Sequence, residues 1–121
     1  MIRNYQVIHL SEASFRGQSI LDAEALQSDL QSARSLLDGW GYAGLVEDYE
    51  ASAVHYESQY RADFPGLILA DQWHNKTSSQ SVDQALQAAE AELGPARLSR
   101  FEQANALDYA LWSWARDRFH R

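Results

Sequence analysis

The stretch PARLSRFEQANALDYALWSWARDRF, from Pro95 to Phe119, decides the fold class. Leu98, Phe101, Leu111, Trp112, Ala115 and Phe119 recur at helical intervals and make one apolar face. Pro95, directly after Gly94, occupies a natural first helical position, and Arg116, Arg118 and Arg121 complement the negative end of the helix dipole. The spacing predicts one helix of about 25 residues, roughly 37 Å long at ~1.5 Å per residue. Asn105 and Asp108 interrupt the buried stripe. An unsatisfied buried polar group costs about 1 to 3 kcal/mol, so both are expected to bond to backbone or neighbouring side chains as structural residues of the fold.

Working outward, the same reading yields three further helices. Ser81 and Gln84 have capping-box spacing, and Val82, Leu86, Ala89 and Leu93 continue at helical intervals to Gly94. A helix from about Glu47 to Arg61 carries Tyr49, Ala53, Tyr56 and Tyr60 on one stripe, with Val54 beside it. Phe64-Pro65 stops it, because proline biases the residue before it away from helical angles. From Asp22 onward, Leu26, Leu30, Ala33 and Leu37 predict a helix with Asp22 and Glu24 in its first turn and Gly39 at its end.

Between these lie shorter pieces. Tyr5 to Leu10 alternates weakly and predicts a short strand; Ser11 to Ser19 is loop; Gly41 to Val46 is a strand or an extended entry; Leu67 to Ala70 is another apolar run; Asp71 to Ser81 is a polar loop. The expected fold is mainly α: about four helices with one to three short strands in a single small domain, residues 1–121, with no internal repeat or dividing linker.

Composition excludes several classes. Hydrophobic residues make up 45% and charged residues 22%, a globular balance able to build one modest core. No apolar run approaches the ~20 residues of a membrane span, and Met1 to Leu10 has no continuous apolar segment of a secretion signal, so cytoplasmic residence is the default. The absence of cysteine removes disulfides, thiolate metal sites and cysteine nucleophiles. A net charge of -7 with Lys76 as the single lysine gives no basic face to displace counterions from nucleic acid, so no nucleic-acid partner is expected.

The candidate chemistry is sparse. The junction Gly41 to Asp48 approaches a glycine-rich turn feeding a helix, but Glu47, Asp48 and Glu50 put carboxylates where a phosphate would sit; helix-dipole complementation is the expected role. No Walker-type loop, two-glycine dinucleotide fingerprint or Gly-x-Ser-x-Gly elbow occurs. His9, His55, His74 and His120 lie far apart, and Asp71, His74 and Asp63 offer only scattered ligands, so no metal is expected. Glu47 or Asp48 as a general base would need a raised pKa and a pocket, neither of which is visible in sequence. Trp40, Trp73, Trp112 and Trp114 fit stacking platforms for a base or sugar, or core and interface packing, with packing favoured. Asn75-Lys76-Thr77 fits a glycosylation sequon, which is uninformative without a signal peptide.

Three segments carry a resemblance. Asn4-Tyr5-Gln6 opens the chain; Ala33 to Leu37 leads into Gly44-Leu45-Val46-Glu47-Asp48-Tyr49-Glu50-Ala51-Ser52; and Asn105-Ala106-Leu107-Asp108-Tyr109-Ala110-Leu111-Trp112 precedes Ala115 and Phe119. In this order they resemble the C-terminal part of the sulfotransferase superfamily, in particular its carbohydrate, heparan sulfate 2-O-sulfotransferase-like branch. There a short strand reading like Gly-Leu-Val-Glu enters a helix, and a closing helix carries an Asn, an Asp three residues later, then Leu-Tyr and Ala. Trp112 stands where the tyrosine is expected. The resemblance covers nearly the whole chain but only the latter half or so of a typical family domain.

That family transfers a sulfuryl group from 3'-phosphoadenosine 5'-phosphosulfate to a hydroxyl without a metal. Its donor-binding loop and its general base come from parts that precede the resembling region. The resemblance therefore implies a truncated piece of an α/β sulfotransferase-like domain, non-catalytic alone, with no cofactor required and no catalytic residue to name. The loop His74 to Ser79 resembles the late loop that closes over the adenosine bisphosphate, which makes Lys76 and Thr77 the expected donor contacts. The rival reading is a solvated polar loop.

Helices that face a sheet in the family would here have to cover their apolar stripes with one another or with a second chain. A homodimer or higher oligomer is expected, with the aromatic faces of the Glu47 to Arg61 helix and of the last helix in the contact. Two alternatives remain open: part of an enzyme completed by another polypeptide or by upstream sequence, and a small-ligand-binding helical protein with a pocket lined by tryptophans.

Overall fold

The computed structural model describes residues 3–16, 23–69 and 81–120. These form six α-helices and no strand: α1 (Tyr5–His9), α2 (Gln27–Trp40), α3 (Tyr49–Tyr60), α4 (Val82–Leu93), α5 (Pro95–Ala104) and α6 (Ala106–Phe119). Two 3-10 turns, Glu12–Phe15 and Val46–Asp48, precede α2 and α3. The chain gathers into two compact units, one of Met1–Ala43 with Ala89–Arg121 and one of Gly44–Ala88; the division falls inside α4.

In the first unit, α2 buries Leu30, Ala33 and Leu37, residues at intervals of three and four, as their spacing predicts. They pack with Val7 of α1 and Leu111 of α6, and Trp114 and Phe119 close over the cluster. Each large aliphatic side chain fully withdrawn from water here contributes ~1.5 to 3 kcal/mol before ordering entropy is subtracted.

The ends of α2 differ from expectation. Asp22 lies outside the described residues, and Glu24 precedes the helix rather than standing in its first turn. The helix starts at Gln27 because Asp29, at its third position, accepts the Leu26 N–H at 2.7 Å. It stops at Gly41 and not at Gly39. Gly41 has φ 79°, and its N–H reaches the Leu37 and Asp38 carbonyls at 3.2 and 3.1 Å, the left-handed ending that glycine adopts without a Cβ penalty.

The predicted strand Tyr5 to Leu10 is instead the helix α1, with Val7 and Ile8 fully buried. A weakly alternating segment of six residues is too short for periodicity to discriminate strand from buried helix. What selects the helix is non-local: Asp108 accepts the N–H groups of Gln6 and Val7 at 3.0 and 2.9 Å, satisfying donors that a helix leaves open at its start.

The single long helix expected over 95–119 is two helices broken at Asn105. The Asn105 N–H turns back to Phe101 O and Glu102 O at 3.1 and 3.2 Å and its Nδ2 to Phe101 O at 2.9 Å, closing α5, while its carbonyl accepts Tyr109 N–H and opens α6. Asparagine competes with the backbone for such bonds, and a break of one residue leaves the apolar periodicity nearly intact. The Pro95 start stands as predicted, after Gly94 at φ 78°.

In the second unit, α3 follows the Val46–Asp48 turn close to the predicted bounds and buries Ser52 and Ala53. Residues 44–45, from the segment read as a strand or an extended entry, and residues 67–69, from the second apolar run, belong to no strand and are held by α3 side chains. Ser52 Oγ accepts the Leu45 N–H at 3.0 Å and donates to Leu45 O at 3.3 Å, and the Tyr56 hydroxyl accepts the Gly44 N–H at 3.3 Å. Tyr49 donates to Leu69 O, while Glu57 accepts the Leu69 N–H. Hydroxyls and a carboxylate thus take up backbone bonds that a sheet neighbour would otherwise satisfy. The capping box of α4 forms as predicted: Gln84 N–H donates to Ser81 Oγ at 3.2 Å, and Ser81 N–H to Gln84 Oε1 at 3.0 Å.

Candidate functional site

Asn105 and Asp108, the two polar residues of the last apolar stripe, are built into a clasp with Asn4. The Asn4 N–H donates to Asn105 Oδ1 at 3.0 Å, and the Asp108 carboxylate receives the Gln6 and Val7 N–H groups of α1. In return Asn4 Oδ1 accepts the N–H groups of Leu107 and Asp108 at 3.0 and 3.2 Å. Each helix start caps the other. Asn4 sits at φ 51°, a left-handed conformation that asparagine tolerates better than most residues. The polar atoms are spent on backbone donors, so the expectation that both residues bond to backbone holds. The role of Asn4 was not read from sequence; its cap-type side chain directly before Tyr5 was the available signal, though it caps a helix about 100 residues away.

A second buried polar centre, also unread, lies between the Glu12–Phe15 turn and α2. Asp29 is 3% exposed and receives both terminal nitrogens of Arg16, Nη1 at 2.8 Å, besides the Leu26 N–H. The Arg16 guanidinium, then the Leu26 N–H, hold the Asp29 carboxyl below its ordinary value despite burial, and Asp29 raises Arg16 in turn. A carboxylate so fully bonded has no lone pair aimed at a cleft and reads as a brace.

The Gly41 to Asp48 junction does not form a phosphate cradle. The amides of Gly44 and Leu45 are committed to Tyr56 and Ser52, that of Asp48 to Leu45 O at 3.2 Å, and Glu47, Asp48 and Glu50 are exposed at the helix start. A Cβ on Gly44 would meet Ser52 Cβ at 3.1 Å and the Tyr56 ring at 3.2 Å, so glycine serves chain approach here. A shallow cavity of about 250 Å³ lies beside it, lined by Leu45, Tyr49, Tyr56 and Leu69 among others.

Lys76 and Thr77, the expected donor contacts, lie outside the described residues, as do Asp71, Trp73 and His74. Among the described residues no group of three His, Asp or Glu side chains is placed to hold a metal. His9 lies against Tyr5 with ring centres 4.0 Å apart and planes tilted by 31°, His55 meets Tyr56 edge-on, and His120 Nε2 donates to Ala43 O at 2.7 Å. No described helix is long and apolar enough to cross a membrane.

The described tryptophans have separate surroundings. Trp114 packs edge-on against Phe119 at the core, Trp40 is exposed at the end of α2, and Trp112 carries the Arg116 guanidinium 4.7 Å above its ring. Trp112 and Tyr109, 38% and 44% exposed, share with Arg116 the face of α6 turned away from Leu111 and Ala115. Beside Tyr109 an open cavity of about 410 Å³ is lined by Glu102, Gln103 and Ala106. This aromatic face and its cavity are the described surface best built to receive another molecule. The sequence reading set Trp112 on one apolar face with Leu111 and Ala115; the structure buries those two and leaves Trp112 exposed, because its position falls about 100° round the helix from Leu111. Set against protein-family models, curated proteins and solved structures, the chain matches none.

Proposed function

We propose that the chain is a helical assembly module, non-catalytic alone, that works with its apolar helix faces covered by another polypeptide. One observation carries this reading: regular helices present large apolar side chains to solvent, including Val54 on α3, Leu86 and Leu93 on α4, Phe101 on α5, and Tyr109 and Trp112 on α6. Single exposed apolar residues are ordinary, but stripes on consecutive helices mark interfaces. Self-association is the form of assembly proposed.

Descent from the C-terminal part of a sulfotransferase-like α/β domain is the second element of the proposal. It rests on the residues quoted for the resemblance, Asn105 and Asp108 among them. On this view α3 answers the loss of a sheet by bonding its flanking chain with Ser52, Tyr56 and Glu57.

Two measurements test the proposal together. Light scattering across concentration is expected to give a mass above that of one chain, and a single-chain mass at millimolar protein removes self-assembly. Calorimetric titration with adenosine 3',5'-bisphosphate is expected to give no heat at millimolar ligand, because contacts from one loop on one side of a ligand seldom offset the entropy lost on association. Saturable heat that disappears in K76A/T77A would replace the non-catalytic reading with that of a donor-binding part of an enzyme.

A further inference from the structure

We infer that the aromatic face of α6 is a docking surface for α4 of a second copy of this chain, in a two-fold pair; this rests on the self-association proposed above. Three features of the two helices fit one another. The first is spacing: Tyr109, Trp112 and Arg116 stand at i, i+3 and i+7 on α6, and Leu86, Ala89 and Leu93 stand at i, i+3 and i+7 on α4. Both stripes therefore span about 10 Å of helix axis at ~1.5 Å per residue. Neither is buried within the described chain: Leu86 and Leu93 are 51% and 41% exposed, and from Asp83 to Leu93 only Ala89 is half-buried.

The second feature is charge. On α4, Asp83 and Glu90 flank the leucines on one edge, and the helix carries no basic residue. The α6 stripe carries a cation, Arg116, laid over Trp112 and also touching Asp117 at 3.4 Å. An acidic leucine stripe against an arginine-tryptophan stripe is complementary in charge. The third is residue type. Tyrosine, tryptophan and arginine are the side chains that dominate interface energetics when an apolar anchor fills a pocket beside them. The cavity at Glu102, Gln103, Ala106 and Tyr109 lies next to the stripe, where a leucine from α4 can enter it.

Two-fold symmetry makes the contact twice, since α4 of each copy meets α6 of the other. That doubling matters, because a single helix pair falls short of the roughly 1,600 Å² that a specific interface buries in total.

The test is sedimentation equilibrium on the full chain, the variants L86D and W112A, and their equimolar mixture, with circular dichroism establishing that each variant is folded. L86D and W112A are each expected to weaken dimerisation about tenfold or more. The mixture is expected to dimerise more tightly than either variant alone, because one of its two contacts pairs an intact α4 with an intact α6. A dimer indifferent to L86D overturns the inference while leaving self-association standing, and a chain that stays monomeric overturns both. Should either variant unfold, R116E alone and R116E/E90R serve instead: the first is expected to weaken the dimer, and the second to restore at least part of the loss. A double variant no tighter than R116E sinks the assignment of α4 as the occupant.

Discussion

At the scale of single residues, the two polar centres of the first unit hold it together by different physics. Asp108 accepts two backbone N–H groups at the start of α1. D108A orphans them, and the loss of such a cap costs about 1 to 2 kcal/mol, read as a lower urea midpoint; D108N keeps one acceptor and is expected to lose less. Asp29 acts through its charge. Its carboxyl titrates lower in the folded chain than in the unfolded one, where it takes the ordinary value of about 3.9. The unfolded state therefore binds the proton first as pH falls, so the Asp29 contribution is complete above that value and is lost on descent through the folded pKa. Urea midpoints between pH 7 and pH 2.5 are expected to fall in the acid range for the wild type. D29N, less stable at pH 7, is expected to show a shallower acid decline; an unchanged decline would mean that Asp29 is not a source of it. Neither centre was legible as such in the sequence. Asp108 was marked as polar within an apolar stripe, but its donors come from residues about 100 positions earlier, and the Arg16–Asp29 pair has no periodic signature at all.

At the scale of elements, what the chain writes locally is what can be read from it. The α4 capping box, the Gly94-Pro95 punctuation and the Leu30, Ala33, Leu37 face depend on neighbours within a few positions, and each stands in the structure. The misreadings, a strand for α1 and one helix for α5 and α6, both occur where a side chain distant in sequence or a one-residue cap overrides local preference. The end of α2 shows the same lesson with two glycines. Gly39 lies inside the helix with open space where a Cβ would stand, whereas Gly41 takes φ 79°. Gly39→Ala is accordingly expected to stabilise the chain by about 0.5 to 1 kcal/mol and Gly41→Ala to destabilise it by about 1 to 2 kcal/mol. Thermal melts of the two variants check this, and equal signs would place the helix end elsewhere. Of the candidate site, the Trp112 and Arg116 pair was readable as an i, i+4 spacing, while the exposure of its face required knowing which side of α6 meets Leu37 and Val7.

For the whole molecule, composition and surface pull in opposite directions. A net charge of -7 makes identical chains repel, while the apolar stripes of α4, α5 and α6 draw them together. Screening weakens the long-range repulsion between whole chains more than the close approach of Arg116 to the α4 carboxylates and leaves the apolar term, so self-association is expected to tighten as sodium chloride rises from 0.01 to 0.15 M, over which the Debye length shrinks from about 30 to about 8 Å. Sedimentation at the two salt concentrations checks it, and weakening with salt would mean that ion pairs rather than apolar faces hold the pair. The clasp of Asn4 with Asn105 and Asp108 bears on how the molecule comes into being. During synthesis, the amides at the beginning of α1 emerge from the ribosome long before their acceptors are translated, and the loop that must close spans about 100 residues. Until the segment carrying Asp108 has emerged, those amides have only water to bond, so the opening helix of this chain is among the last of its parts to become fixed.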